Sequence, residues 1–174
     1  MSGVRAWIGL GGNREDSPAL LHEALGRLAA APGVDLLRRS AIYRSPPWGV
    51  EDQPEFVNAV AELETTLAPR DLLRLLLAVE TELGRDRSGE SRWGPRCIDL
   101  DLLTYGEVRL RSEELELPHP RMHLRAFVLV PLLQLEPGFR IPGRGTAAAC
   151  LRNIDADEAA AVAPLPPART GQTP

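Results

Sequence analysis

Residues 55–64 read EFVNAVAELE. The alternation places Val57, Ala59, Ala61 and Leu63 on one side of a strand, with Phe56, Asn58 and Glu62 on the other. Such a strand needs an apolar cover and partners on its edges. Upstream, Val4–Leu10 (VRAWIGL) reads as a first strand ending in Gly11-Gly12-Asn13. Ser17-Pro18 reads as an N-cap followed by proline at the first helical position, and Leu20, Leu21, Ala24, Leu25 and Leu28 then recur at helical spacing. Pro32-Gly33 stops that helix, and Val34–Tyr43 reads as a second strand. The loop SPPWGVEDQP, residues 45–54, separates it from EFVNAVAELE.

Downstream, Pro69 opens a second helix carrying Leu72, Leu76, Val79 and Leu83, with Gly84 where a C-terminal cap belongs. Arg85–Arg96 is a polar loop, Ile98–Tyr105 a fourth strand, and Glu107–Leu110 a short hairpin arm. The order strand–helix–strand–strand–helix–strand predicts an α+β, ferredoxin-like fold: a mainly antiparallel sheet with helices on one side. Arg121–Leu135 reads as mostly helical, with Pro131 as a kink or break. Residues 1–158 are expected to form one domain. The Ala- and Pro-rich 159–174 is expected to be a weakly structured C-terminal tail.

The 174-residue chain carries a net charge of −4 and a pI near 5.5. That balance argues against nucleic-acid or membrane partners. With two cysteines, Cys97 and Cys150, and no signal-like start, the expected location is cytoplasmic. All 20 basic residues are arginine, so there is no Walker-type or Schiff-base lysine. Any phosphate handling falls to guanidinium groups.

Residues 92–106, RWGPRCIDLDLLTYG, hold the sharpest signal. Asp99 and Asp101 share one strand face, about 6–7 Å apart, and the apolar residues around them predict a central strand. Two like charges held there need a positive partner. Mg²⁺ with substrate phosphates would supply it, and so would a sheet face paired to arginines; the spacing leaves both open. Arg85, Arg87, Arg92 and Arg96 arrive on the loop feeding that strand and favour a metal–polyphosphate site.

Phe56 and Asn58 suit stacking on a planar heterocycle and reading its edge, or else Phe56 belongs to a second core. Trp93 is either a lid over a ligand or a packing residue. His119 and His123 lack further zinc ligands; His119 beside Arg125 suits a phosphate donor or a packed turn. Gly11-Gly12-Asn13 is no dinucleotide fingerprint and reads equally well as a tight turn. Cys97 reads as a small packing residue.

The run RWGPRCIDLDLL closely resembles the signature of the 6-hydroxymethyl-7,8-dihydropterin pyrophosphokinase family. YRSPPWGVEDQPEFVNAV, LETTLAP and PHPRMHLRAFVLVPL resemble further family blocks, in order, over roughly residues 5–140. The resemblance implies a ferredoxin-like fold and transfer of pyrophosphate from ATP to the pterin's 6-hydroxymethyl oxygen, releasing AMP, in folate biosynthesis. It also implies two Mg²⁺ ions, held by Asp99 and Asp101, with Arg85 and Arg96 joining that pair as catalytic residues.

The ATP side would comprise Glu80, Arg85, Arg87, Trp93, Arg96, His119 and Arg125. The pterin side would comprise Ser45, Pro46, Trp48, Phe56, Asn58, Trp93 and Phe127. The loops 45–54 and 85–96 are expected to close over both substrates. Phe56, Trp48, Leu77 and Gly12 stand where some relatives carry tyrosine, leucine, glutamine and serine. The expected partners are these two small molecules, with association with other folate-pathway enzymes left open. The competing readings are a nucleotidyl transferase or cyclase with an Asp pair, an RNA-binding ferredoxin-like module, and a non-catalytic nucleotide binder.

Overall fold

The computed structural model describes residues 2–47, 52–85 and 97–166. Its main elements run β1 (Val4–Gly12), α1 (Ser17–Ala30), β2 (Val34–Arg39), β3 (Tyr43–Ser45), β4 (Phe56–Thr65), α2 (Pro69–Glu82) and β5 (Asp99–Tyr105). β4 pairs with β1 on one side and with β2 and β3 on the other, and β5 lies beyond β1. All these pairings are antiparallel, as the expected ferredoxin-like order requires. The expected single strand at 34–43 is split. At Ser40 the backbone N–H bonds the Val60 carbonyl at 2.8 Å while the side-chain oxygen accepts the Val60 N–H at 2.9 Å.

A short hairpin follows, β6 (Leu110–Arg111) with β7 (Glu116–Leu117), then a 3-10 turn at Met122–Leu124 and α3 (Ala126–Leu135). β8 (Arg140–Ile141) and β9 (Gly145–Thr146) form a second small hairpin before α4 (Ala147–Arg152), α5 (Ala156–Ala160) and β10 (Ala163–Pro164). Pro131 lies inside α3 and is buried, so the helix tolerates it; the break falls instead at Arg125, between the turn and the helix.

The helices cover both faces of the sheet, not one. α1 and α2 bury Ile8, Leu10, Ala59, Leu63, Leu100 and Leu102. Opposite them, Val128, Leu129 and Leu132 of α3 pack with Trp7, Val60 and Leu103. α3 is apolar almost all round because the sheet covers one side and α4 and α5 cover others.

The two-sided packing also corrects the placement of β5. It is an end strand of the sheet, yet buried on both faces, and its outer edge is met by the 115–119 segment, where His119 donates its N–H to the Leu103 carbonyl at 2.8 Å. A bulge between Trp7 and Ile8 in the β1–β5 register turns Tyr105 away from the face of Asp99 and Asp101, into the α1/α2 core.

Ser17 does not cap α1. Asp16 holds that position without a side-chain bond. The fully buried Ser17 hydroxyl instead donates to the Cys97 carbonyl at 2.7 Å and accepts the Arg14 N–H at 3.0 Å. Residues 159–166 are likewise more ordered than expected: a domain boundary at 158 would cut through α5, and β10 joins the main sheet against β3. Among the described residues no helix is long and apolar enough to cross a membrane.

Candidate active site

Three strands set the floor of one cleft. In register across the sheet, Asn58 of β4 faces Gly11 of β1, and Gly11 faces Asp99 of β5. One row along, Gly9 stands between Val60 and Asp101. At about 4.8 Å per strand, Asn58 and Asp99 lie about 10 Å apart along the sheet, roughly the length of a bicyclic heterocycle with a one-carbon arm. No side chain rises between them, because β1 contributes glycines there. Their role is close approach within a strand, not the tight turn the sequence suggested. A Cβ on Gly11 would sit 2.8 Å from Asn58 Oδ1, and one on Gly12 would sit 2.5 Å from both the Cys97 carbonyl oxygen and Ser17 Oγ.

The cleft measures about 260 Å³. Ser45, Phe56, Asn58 and Phe127 line one part; Asp99, Asp101 and Arg125 line another. Asn58 is buried, and its amide N–H donates to the Ser45 hydroxyl at 2.9 Å, which fixes the amide's orientation. The Phe56 and Phe127 rings come from β4 and α3, on different walls, and both stay partly exposed to the cleft. The Arg125 guanidinium lies 5.5 Å from the Phe127 ring centroid and 3.7 Å from Asp101 Oδ2, joining the two parts.

The acidic part is electrostatically tense. Burial, then the neighbouring Asp99 carboxylate, raise the Asp101 carboxyl above its ordinary range, and Arg125 opposes them only in part. Asp99 Oδ1 receives Arg85 Nη1 at 2.7 Å, and the same nitrogen donates to Glu80 Oε2 at 2.7 Å. Glu80 and Arg85 are buried behind the cleft and do not line it. They brace Asp99 from below.

His119 also stands outside the lining. Burial first, and Arg125 second, lower its pKa to about 4, and Nδ1 accepts the Arg121 N–H at 3.1 Å. The neutral ring therefore carries its proton on Nε2 as a donor. Its folded pKa lies below the unfolded value near 6.5, so its stabilising contribution is complete above pH 6.5 and is lost as pH falls toward 4. Across that window wild type should lose about 3 kcal/mol that His119→Gln does not, measured by urea unfolding at a series of pH values.

Pro46 is exposed beside Ser45 and does not line the cleft. Trp48, Arg87, Arg92, Trp93 and Arg96 lie outside the described residues, as do 48–51 of the first loop expected to close and 86–96 of the second. The cleft also uses residues the sequence reading passed over: Gly9, Leu10, Arg121, Leu124 and Val128. Arg121 and the 59% exposed Leu124 line the same cleft as the aspartates because the 3-10 turn brings them there, and no local pattern announces that.

This geometry can be set against known proteins. A relative from Methylorubrum extorquens, named 2-amino-4-hydroxy-6-hydroxymethyldihydropteridine pyrophosphokinase, is 46% identical over 152 residues, covering 87% of this chain and 94% of its own length. One of the same name from Pseudomonas aeruginosa is 46% identical over 138 residues, covering 79% of this chain and 84% of its own. Among solved structures, Plasmodium falciparum HPPK-DHPS wild type superposes with a TM-score of 0.64 at 13% identity, over 85% of this chain and 40% of that one. That likeness is one of fold. The model of the family described as 7,8-dihydro-6-hydroxymethylpterin-pyrophosphokinase (HPPK) matches residues 7–137, a span that carries the aspartate pair, the glycine floor and both aromatic walls. By these relatives and this match, the chain belongs to the 7,8-dihydro-6-hydroxymethylpterin-pyrophosphokinase family.

Proposed function

We propose that the cleft transfers the β,γ-pyrophosphoryl group of ATP to the 6-hydroxymethyl oxygen of 6-hydroxymethyl-7,8-dihydropterin, in folate biosynthesis. The hydroxymethyl oxygen attacks the β-phosphorus, the bond from that phosphorus to the α,β-bridging oxygen breaks, AMP leaves, and the hydroxyl proton is released. The carrying observation is the single cavity that holds an aromatic-and-amide end and a carboxylate-and-guanidinium end about one heterocycle apart.

In this reading Phe56 and Phe127 hold the pterin faces, while Asn58, oriented by Ser45, reads its edge. Arg125 grips phosphate oxygens, and neutral His119 donates a hydrogen bond to them. Arg87, Trp93 and Arg96 on the ATP side, and Pro46 and Trp48 on the pterin side, belong to the same proposal through their place in the motifs.

The donor set fits magnesium. Two carboxylates open into the cleft, Asp101 held against ionisation by burial and by Asp99, and no group of three or more His, Cys, Asp or Glu side chains that could hold a metal exists among the described residues. Hard cations of this kind are held by one or two carboxylates, with water and phosphate completing the shell. Asp99 and Asp101 would hold two Mg²⁺ ions, which neutralise phosphate charge and align the polyphosphate when bound. Transfer of this type depends on positioning and charge neutralisation more than on a strong base.

Two small-molecule substrates and a cytoplasmic location complete the proposal. Association with other folate-pathway enzymes is included in it because the solved neighbour's name joins HPPK to DHPS. The test is AMP release from ATP and Mg²⁺, with and without the pterin. AMP formed only with both substrates supports pyrophosphoryl transfer; AMP formed without pterin, or none from folded protein, overturns it.

A further inference from the structure

The family model ends at residue 137, yet the chain continues into the sheet beside the pterin end of the cleft. β3 is only three residues long and carries Ser45, whose hydroxyl orients Asn58. On its inner side β3 pairs with β4. On its outer side β10 pairs Ala163 with Arg44 and Pro164 with Tyr43, and the Leu165 N–H reaches the Ile42 carbonyl at 2.7 Å. Without β10, a three-residue strand would be an edge ending directly at the cleft.

Just before β10, Val162 forms one buried apolar cluster with Tyr43 of β3 and Ala126 of α3, and Phe127 packs against that cluster. Gln134 of α3 adds a polar tie, since its Oε1 accepts from the Tyr43 hydroxyl at 2.8 Å and from the Ala41 N–H at 3.1 Å. The C-terminal segment thus grips the two elements that supply Ser45 and Phe127. It touches neither β5 nor the Asp99–Arg85–Glu80 brace by any of these contacts.

We infer that Ala156–Leu165 is a positioning element for pterin recognition, with Val162 as its central residue, setting the spacing between the Ser45–Asn58 pair and the Phe127 ring. The inference rests on the proposed seating of the pterin against these residues. A small displacement of a wall weakens binding of a rigid planar ligand, because a heterocycle cannot adapt to it.

The experiment is steady-state kinetics with both substrates varied. Val162→Ala should raise KM for 6-hydroxymethyl-7,8-dihydropterin about tenfold and leave KM for ATP within about twofold. Val162→Ile, which keeps the apolar contact, should restore the pterin KM. A chain ending at Ala161, lacking β10, should show a larger pterin defect than Val162→Ala. Parallel rises in both KM values, a fall in kcat with both KM values unchanged, or wild-type constants throughout would overturn the inference. Phe127→Ala separates this failure from failure of the underlying reading: an unchanged pterin KM there removes the proposed pterin site itself, and the positioning role with it.

Discussion

Asp101→Asn should lower pyrophosphoryl transfer about a thousandfold while leaving thermal stability unchanged or raised. The direction of each effect follows from one fact. Asp101 carries its charge at an energetic disadvantage, because burial and Asp99 both oppose ionisation. The neutral, nearly isosteric amide relieves that repulsion and keeps the shape. In the proposed site it would also remove a charged oxygen that a hard cation prefers, and the ATP complex would lose charge neutralisation. The paired measurement is turnover at saturating ATP and Mg²⁺, with Tm of the same preparation. Near-normal turnover in the folded variant would return the aspartate pair to a sheet face paired with arginines.

Arg85→Ala should damage the fold as well as the chemistry. The side chains of Arg85 and Glu80 are 4% and 2% exposed, and one guanidinium nitrogen serves both Glu80 and Asp99 at 2.7 Å. Removing the cation takes from the buried Glu80 the guanidinium it meets at 2.7 Å, and breaking a buried ion pair typically costs about 3–5 kcal/mol. The double variant Arg85→Ala/Glu80→Gln should regain most of that stability, because the buried carboxylate that lost its cation is then replaced by a neutral amide, yet stay poorly active. Urea unfolding of the single and double variants measures the first effect, and AMP release the second. Equal stability of wild type and Arg85→Ala would show that water reaches Glu80 and that the brace is not dry.

What the sequence revealed depended on whether the deciding contact was local. The period-two pattern of 55–64 and the leucine spacing in α1 and α2 fixed the element order, since those patterns report on one face of one element. Asp99, Asp101, Phe56 and Asn58 line the cleft from the strand faces that alternation assigned them, whereas Phe127, also in the lining, was pointed to only by the family resemblance. The second helical layer was not. In β4, Val60 shares the face of Phe56, Asn58 and Glu62 and packs into that layer, yet beside polar neighbours it did not stand out.

β5 was misplaced as central because two-sided burial looks identical in a middle strand and in an end strand whose flank another segment covers. The flip of Tyr105 came from a register bulge with β1, a property of the pair of strands. Ser17 misled for a similar reason: serine before proline fits a cap, but the Cys97 carbonyl that claims its hydroxyl is 80 positions away in the chain.

The glycine floor bears on how this enzyme could be inhibited and how inhibition could be evaded. A compound lying on Gly9, Gly11 and Gly12 touches main-chain atoms. A point mutation cannot alter those atoms; it can only add to them. At Gly11 the added carbon meets Asn58, and at Gly12 it meets Ser17 and Cys97, so resistance arising there would disable the enzyme that acquired it. At Gly9 the nearest atom to an added carbon is a Leu103 methyl at 3.6 Å, an ordinary contact, so escape has one opening in the floor. An inhibitor anchored over Gly11 and Gly12, and sparing in its use of the Phe56 and Phe127 walls, would leave the fewest tolerated routes to resistance.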